Sequence, residues 1–339
     1  MQAYQIVPGR GIAGLERVRL DSREPGPGEV RVRVHAVSLN YRDLMIAQGR
    51  YLKTSGRPVV PASDGAGKVV AVGPGAERFR VGDRVLTSFF PRWIDGHPTL
   101  ANSGVTLGAS SDGVLGEEIV LHEDAFVPMP SHLDFVEAST LPCAAVTAWN
   151  AMFVAADLKP GQTVLLQGTG GVSIWALQLA RAAGLRAVVT SSSDAKLARA
   201  RELGAHATIN YRTTVEWQEE ALRLTDGVGV DLVLDVGGDD TLTRSLAAVR
   251  HAGTVAVVGG LSGMGGASLS PLALIGGGKR LVGIYVGSRK SAEDLYRFVE
   301  TARTRPVIDR VFAFGQVREA YQHLAEGRHF GKVVIDVDA

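Results

Sequence analysis

A short turn with three glycines is the first group of residues in the sequence that could bind a ligand. Gly168, Gly170 and Gly171 follow an apolar run at 164–166 and precede a stretch, 172–183, whose apolar residues recur at helical spacing. This pattern predicts a strand, a turn and a helix. A turn without side chains lets a pyrophosphate approach the backbone, where the free N–H groups of the new helix point at the anion. The pattern favours a dinucleotide site, and an ordinary strand–helix turn is the alternative.

The residues after the next apolar run indicate which dinucleotide binds. A fold that binds NAD carries Asp or Glu at the end of its second strand, about 20 residues after the first glycine, to hold the ribose 2′-hydroxyl. Here Ser191 and Ser192 stand at this place, and Asp194 comes later, where it would cap the next helix. The hydroxyls and Lys196 suit a 2′-phosphate, so we predict NADPH. The alternative is that residues 192–194 form only a helix cap and Lys196 is a solvated lysine.

Alternating strands and helices position these residues. After a helix at 134–156, strands are predicted at 164–167, 187–190, 207–211, 230–236, 254–258 and 281–286, with helices between them. This alternation with short connections implies a parallel, doubly wound sheet. Residues 1–126 differ, because runs such as 29–37 alternate polar and apolar residues and predict half-buried strands. The tail after residue 291 is assigned to this first, β-rich part, since the nucleotide sheet is already complete.

The composition narrows the class of protein. The chain has 339 residues, a formal net charge of +1 and a single cysteine, Cys143. This length suits about two domains, and the balanced charge argues against a nucleic-acid groove or a basic membrane-binding face. One cysteine excludes an internal disulfide and a multi-thiolate metal site. Because the first residues lack the apolar core of a signal peptide and no apolar run looks long enough to span a bilayer, we expect a cytoplasmic protein.

Several motifs occur in order along the chain. They are SLNYRD at 38–43, DGAGKVV at 64–70, VGDRV at 81–85, LPCAAVTAW at 141–149, the glycine turn and GKVV at 331–334. Together they resemble the medium-chain dehydrogenase/reductase superfamily over essentially the whole chain. The resemblance implies an α/β protein with a Rossmann doubly wound parallel sheet and a GroES-like β-rich catalytic domain. The expected divisions are 1–126 for the catalytic domain, 127–290 for the dinucleotide-binding domain and 291–339 for the return to the catalytic domain.

The resemblance also bears on zinc. The zinc-dependent alcohol dehydrogenases of the superfamily have a cysteine where this chain has Asn40 and a histidine where it has Ser63. Neither residue is a good zinc ligand. Cys143 lies where some zinc members place their last ligand, but it stands alone, and the loop at 89–111 has no cysteine for a structural zinc. We therefore expect no metal site, as in the zinc-free quinone oxidoreductase and alcohol dehydrogenase-like branch.

The activity implied is hydride transfer from the cofactor to a quinone or an α,β-unsaturated carbonyl. Such a substrate accepts hydride without strong polarisation of its carbonyl by a metal. By their resemblance to the quinone oxidoreductases, Asn40 and Tyr41 are the catalytic candidates that would bind the developing oxygen. The residues expected to bind the cofactor are Thr147, Gly168, Gly170, Gly171, Val172, Ser191, Ser192, Lys196, Tyr211, Gly259, Gly260 and Tyr285. The alternatives are an alcohol dehydrogenase acting on an alcohol/aldehyde pair and an NADPH-binding protein with little turnover.

Two further expectations concern surfaces. The apolar strand at 281–286 would end the nucleotide sheet with an open edge, and family members pair such edges, so we expect a homodimer. A small-molecule substrate is expected in the cleft between the two domains, where the loop at 89–111 with Phe89, Phe90 and Trp93 could cover it.

Overall fold

Strands and helices are described for residues 1–51, 54 and 56–339 in the structure, a computed structural model. The strands are β1 (Gln2–Ile6), β2 (Leu15–Arg19), β3 (Glu29–Leu39), β4 (Asp64–Val72), β5 (Arg84–Thr87), β6 (Glu118–His122), β7 (Phe126–Pro128), β8 (Thr163–Gln167), β9 (Arg186–Ser191), β10 (Ala207–Asn210), β11 (Val230–Asp235), β12 (Val249–Val257), β13 (Arg280–Gly283), β14 (Ile308–Ala313) and β15 (Lys332–Asp336). The helices are α1 (Tyr41–Ala47), α2 (Leu100–Ser103), α3 (Phe135–Ala138), α4 (Val146–Trp149), α5 (Gly171–Ala182), α6 (Asp194–Glu202), α7 (Trp217–Arg223), α8 (Leu242–Ala248), α9 (Pro271–Ile275), α10 (Arg289–Ala302) and α11 (Val317–Ala325).

The chain divides into two units. The first unit contains residues 1–146 and 287–339, and the second contains residues 147–286. The sequence analysis places the boundaries after residues 126 and 290, whereas the units of the structure meet after residues 146 and 286. The larger difference is at the first boundary. The helical turns before residue 147 belong with the first unit because they are bonded to it: the backbone N–H of Cys143 donates to Asp64 Oδ2 at 3.0 Å.

The second unit is built on a parallel sheet in the order β10-β9-β8-β11-β12-β13. Every neighbouring pair in it is parallel. The order reverses between β8 and β11, as in a doubly wound dinucleotide fold, so the predicted parallel sheet is confirmed. The central strand β8 is buried on both faces, which explains why its sequence reads as a continuous apolar run.

A buried polar network ties the carboxyl ends of β8 and β11 together. Gln167 Nε2 donates to Asp235 Oδ2 at 3.1 Å and to Ser245 Oγ at 2.9 Å. The other oxygen of Asp235 accepts from the backbone of Gly238 at 3.0 Å and from Thr241 Oγ1 at 2.8 Å. Since each buried polar group has a partner, the network fixes the strand ends where the sheet order reverses.

The first unit is built on a sheet in the order β14-β15-β3-β4-β5-β7, with β6 also paired to β3. Strand β15 runs antiparallel to β3 and parallel to β14, so the last strands of the chain extend the sheet formed by its first part. Val30, Val32 and Val34 are buried on β3, in agreement with the alternation in the sequence. Leu39, at the end of β3, is buried as well, and α1 begins two residues later.

Two π-helical segments, Leu141–Ala145 and Asn150–Ala155, form one helical stretch, Phe135–Ala155, together with α3 and α4. This stretch is long and apolar enough to cross a membrane by length and composition, with a mean hydropathy of 1.2. The sequence was not expected to contain such a run. Of its most apolar window, 67% is buried within the chain. Core helices of globular proteins meet the same criterion, so this single stretch is weak evidence for a membrane span.

Candidate functional site

The glycine turn of the second unit leaves room for an anion. Gly168 has a φ of +73°, and no atom lies within 4 Å of the place where its Cβ would stand. Helix α5 begins at Gly171 after Gly170, and no side chain caps its first N–H groups. Ser173, in the third small position of the motif, is buried and donates from Oγ to the carbonyl of Gln167 at 2.6 Å. The backbone thus fits a pyrophosphate, with Val172 in the first turn of the helix.

The end of β9 presents hydroxyl groups and no carboxylate. Ser191 ends this strand, and Ser193 caps α6 by accepting from the backbone of Lys196 at 3.4 Å. Asp194 was expected to be the cap, but it lies inside the helix and accepts from Asn210 Nδ2 at 2.7 Å. An acid held by Asn210 is not placed at the strand end, where it would bind a ribose diol.

The residues predicted to bind the 2′-phosphate lie near one another in the chain fold. The backbone N–H of Tyr211 donates to the carbonyl of Ser191 at 3.2 Å, which brings the ends of β9 and β10 together. Tyr211 is exposed, Ser192 follows Ser191, and Lys196 lies in the first turn of α6. Their role as phosphate ligands stays a prediction.

The remaining cofactor candidates of the second unit follow its strands. Gly259 and Gly260 follow β12, and the exposed Tyr285 follows β13, so they lie at the same edge of the parallel sheet as the glycine turn. A Cβ on Gly260 would stand 2.7 Å from the backbone oxygen of Gly263, which means that its own loop already favours a glycine. Thr147 is buried on α4.

The two catalytic candidates lie at the start of α1 in the first unit. Asn40 precedes the helix, and its backbone N–H donates to Asp43 Oδ2 at 2.8 Å. This contact uses the carboxylate of the first turn to fix the backbone of Asn40. Tyr41 is the first residue of α1, and its side chain is exposed.

A buried ion pair, which the sequence reasoning missed, holds the side chain of Asn40. Lys332, only 3% exposed, donates from Nζ to Asn40 Oδ1 at 2.6 Å and to the carbonyl of Leu39 at 2.7 Å. Its Nζ also lies 4.0 Å from Oδ2 of Asp64, which is fully buried. The only signal in the sequence was a lysine at the start of an apolar strand, Val333–Ile335.

The same ion pair contacts the three positions that correspond to zinc ligands in zinc-dependent relatives. Asp64 Oδ1 accepts from Ser63 Oγ at 2.6 Å, and its Oδ2 accepts from the backbone of Cys143 at 3.0 Å. Asn40, Ser63 and Cys143 therefore surround Asp64 and Lys332. The three positions lie close together, but the charged groups between them are the ammonium of Lys332 and the carboxylate of Asp64, which do not form a set of metal ligands.

Electrostatics explain why this cluster does not fit zinc. Burial, together with the neighbouring Asp64, raises the pKa of the Cys143 thiol to about 12, so the thiolate that zinc requires is disfavoured. Burial lowers the pKa of Lys332, while Asp64 opposes this shift. Asn40 Oδ1 already accepts from Lys332, so a divalent cation there would face an ammonium. Among the described residues, no three His, Cys, Asp or Glu side chains form a group that could hold a metal.

The aromatic residues of the loop at 89–111 are packed inside the first unit, to which the loop belongs. Phe89, Phe90 and Trp93 are buried, so they present no aromatic surface, and a role of the loop in covering the substrate stays a prediction. The guanidinium of Arg42 lies 4.5 Å from the centre of the Phe89 ring and donates to the carbonyl of Leu107 at 2.9 Å. The aromatic residues therefore anchor the loop to α1.

Comparison with known proteins identifies the family. A model of the alcohol dehydrogenase GroES-like domain matches residues 26–131, and a model of the zinc-binding dehydrogenases matches residues 171–301. The zinc-type alcohol dehydrogenase-like protein C1773.06c of Schizosaccharomyces pombe is 42% identical over 336 residues, which cover 96% of this chain and 97% of that protein. The chain belongs to the medium-chain dehydrogenase/reductase superfamily. The predicted superfamily and fold class, with GroES-like and Rossmann parts, are thereby confirmed.

Other members of the superfamily carry different names. The quinone oxidoreductase of Pseudomonas aeruginosa is 33% identical over 321 residues, which cover 92% of each chain. The solved structure of an NAD-dependent alcohol dehydrogenase is 34% identical, covers 99% of this chain and all of its own, and has a TM-score of 0.90. This medium-chain dehydrogenase/reductase is therefore an oxidoreductase of the alcohol dehydrogenase-like or quinone oxidoreductase-like type.

Zinc content tests the assignment of the Asp64–Lys332 cluster. The purified protein, incubated with zinc and desalted, should retain far less than one zinc per chain, because the cluster offers an ammonium, an amide and a protonated thiol. Metal analysis of the desalted protein measures this directly. About one zinc per chain, with activity lost to a chelator, would show that these side chains rearrange into a metal site.

Proposed function

We propose that this chain is an NADPH-dependent reductase that transfers hydride, independently of zinc, to a quinone or an α,β-unsaturated carbonyl. The observation that carries the proposal is the ammonium of Lys332 against Asn40 Oδ1, at the position where zinc-dependent relatives have a ligand. With an ammonium and an amide there, the substrate oxygen would be met by hydrogen-bond donors rather than by a Lewis acid. Quinones and enones accept hydride at carbon under such conditions.

A nicotinamide dinucleotide is supported by the open turn at Gly168 and by the NAD-dependent relative. The residues that would hold it are the turn, the first N–H groups of α5, and Ser191, Ser192, Lys196 and Tyr211 for a 2′-phosphate. When bound, NADPH supplies a hydride and is oxidised to NADP⁺. The substrate would then take the hydride at carbon, its oxygen would take the displaced electron pair, and solvent would supply the proton.

A panel of acceptors tests the reaction class. NADPH oxidation by the purified protein should be faster with a simple quinone or a cyclic enone than with an aldehyde of similar size, because an ammonium and an amide at this position polarise an isolated carbonyl less strongly than a Lewis acid would. Absorbance at the nicotinamide band measures each rate, and the same panel with NADH is the control. Turnover confined to the alcohol/aldehyde pair would favour the second candidate, an alcohol dehydrogenase, which the names of the relatives support. NADPH binding without any turnover would contradict both activities.

Cofactor choice is tested at Lys196. Lys196→Ala should weaken NADPH binding by about 1–3 kcal/mol, the cost of losing a charge-assisted hydrogen bond to phosphate, and leave NADH binding nearly unchanged. Calorimetric titration of both cofactors measures the effect. Lys159→Ala is the matched control, because this exposed lysine precedes β8 and pairs with Asp157. Equal affinity of the unmodified chain for NADPH and NADH would contradict the assignment, and the NAD-dependent relative makes that comparison the first to perform.

We also propose that the protein is a homodimer that pairs the β13 edges of two copies. Strand β13 ends the six-stranded sheet. The preceding helix, α9, exposes Leu272 by 71% and Ile275 by 74%. A bare edge strand beside exposed apolar side chains is an aggregation hazard unless a partner covers it.

Light scattering at micromolar concentration tests the dimer. The unmodified chain should have the mass of two copies, and Leu272→Glu with Ile275→Glu should shift it toward one, because each charge would be buried in the pairing surface. Leu100→Glu is the control, since Leu100 is 80% exposed in the first unit. A single-copy mass for the unmodified chain would refute the dimer.

A further inference from the structure

The orientation of the Asn40 side chain is fixed by its neighbour. A lysine nitrogen only donates hydrogen bonds to a carbonyl or amide oxygen and has no acceptor to offer an NH₂ group when it is charged. Lys332 Nζ lies 2.6 Å from Asn40 Oδ1, 2.7 Å from the carbonyl oxygen of Leu39 and 4.0 Å from Asp64 Oδ2. These are acceptors that match the donors of an ammonium. The amide of Asn40 must therefore face Lys332 with its oxygen, which directs Nδ2 to the other side.

The Nδ2 group of Asn40 is a donor without a partner. It is buried and, among the described residues, forms no hydrogen bond. Leaving a buried N–H unpaired is costly, and such groups are otherwise paired in folded proteins. The backbone N–H of the same residue donates to Asp43 Oδ2 at 2.8 Å and its Oδ1 accepts from Lys332, so both ends of Asn40 are held by hydrogen bonds. Asn40 Nδ2 is therefore available to donate a hydrogen bond to a ligand.

We propose that Lys332 is a positioning residue that presents Asn40 Nδ2 to the carbonyl oxygen of the substrate and strengthens it as a donor. An ammonium bonded to the amide oxygen draws electron density from the amide, so its N–H bonds become better donors. The negative charge that develops on the oxygen during hydride addition is then stabilised by a charge-assisted contact. This inference rests on the proposed function and narrows it, because the substrate must carry an acceptor oxygen beside the carbon that takes the hydride.

Asn40→Asp tests the donor at nearly unchanged size. The new carboxylate would pair with Lys332, which preserves the fold, but it offers no N–H. At alkaline pH we expect kcat to fall about 100-fold, the loss typical for one oxyanion donor, with NADPH affinity unchanged. As the pH falls, protonation of the new carboxyl would restore a donor and part of the activity. The charged and titratable groups around it are Lys332, Asp64, Asp43, Arg42 and Cys143, with Tyr296 interacting with Asp64 and Tyr321 with Asp43. A pH profile parallel to that of the unmodified enzyme would contradict the proposal.

Lys332→Met tests the positioning role. It should lower kcat by about 10-fold with little change in the KM for NADPH, because the Asn40 donor remains but is no longer fixed or polarised. The paired change Lys332→Met with Asp64→Asn removes the uncompensated buried acid, so a loss of stability alone would be reversed in the pair while the loss of kcat would persist. Lys279→Met is the control, since this lysine donates to the carbonyl of Leu246 in the second unit. Full recovery of kcat in the paired variant would overturn the positioning role.

A measurement independent of turnover separates this inference from the proposed function. The chain has only four asparagines, Asn40, Asn102, Asn150 and Asn210, so ¹⁵N-asparagine labelling gives few side-chain amide signals, and loss in Asn40→Asp assigns one of them. This signal should shift when NADP⁺ and cyclohexenone are both added, and it should become exchange-broadened in Lys332→Met. If the panel shows no turnover but the Lys332 effect is present, the proposed function fails and the positioning stands. If the Asn40 signal changes neither on addition of the two ligands nor in Lys332→Met, as expected for an amide bonded only to a trapped water, the inference is refuted.

Discussion

The ammonium of Lys332 is the interaction on which the first unit depends. It lies at the start of β15, it bonds the end of β3 and the residue that precedes α1, and it faces the acid that begins β4. A lysine and an acid buried this deeply are costly unless each is paired and hydrogen-bonded. Asp64 meets that condition through Ser63 and Cys143, and Lys332 meets it through Leu39 and Asn40. Four segments distant in sequence are thus held by one pair of charges.

The second unit also holds a buried acid, Asp235, but its hydrogen-bond partners are uncharged. Gln167 and Asp235 join the carboxyl ends of β8 and β11 through amide, hydroxyl and backbone donors. Because the strand ends are held there, the turn at Gly168 can remain free of side chains and of internal caps. Rigidity around an open backbone is the condition under which an anion is bound at little entropic cost.

The parts of this structure that could be predicted are those whose signals are local. The glycine turn, the alternation of β8 to β13 with helices and the burial of β3 follow from periodicity within a few residues of each position. Helix capping was predicted one residue too late, at Asp194 instead of Ser193, because both residue types are good caps and helix boundaries are set by small differences. The aromatic residues of the loop at 89–111 were misjudged because composition does not tell which side of a loop is buried.

The role of Lys332 could not be predicted, because its bonds to Leu39 and Asn40 join residues separated by 293 and 292 positions. The same separation has a consequence for how the chain is made. The second unit is continuous, so all the residues of its sheet are present once residue 286 has been synthesised. The first unit begins earlier but is completed only when β15, which ends at Asp336, has been synthesised. Until then the flank of β3 that pairs with β15 and the acid at 64 lack their partner, so the first unit can complete its sheet only after the whole second unit has been synthesised.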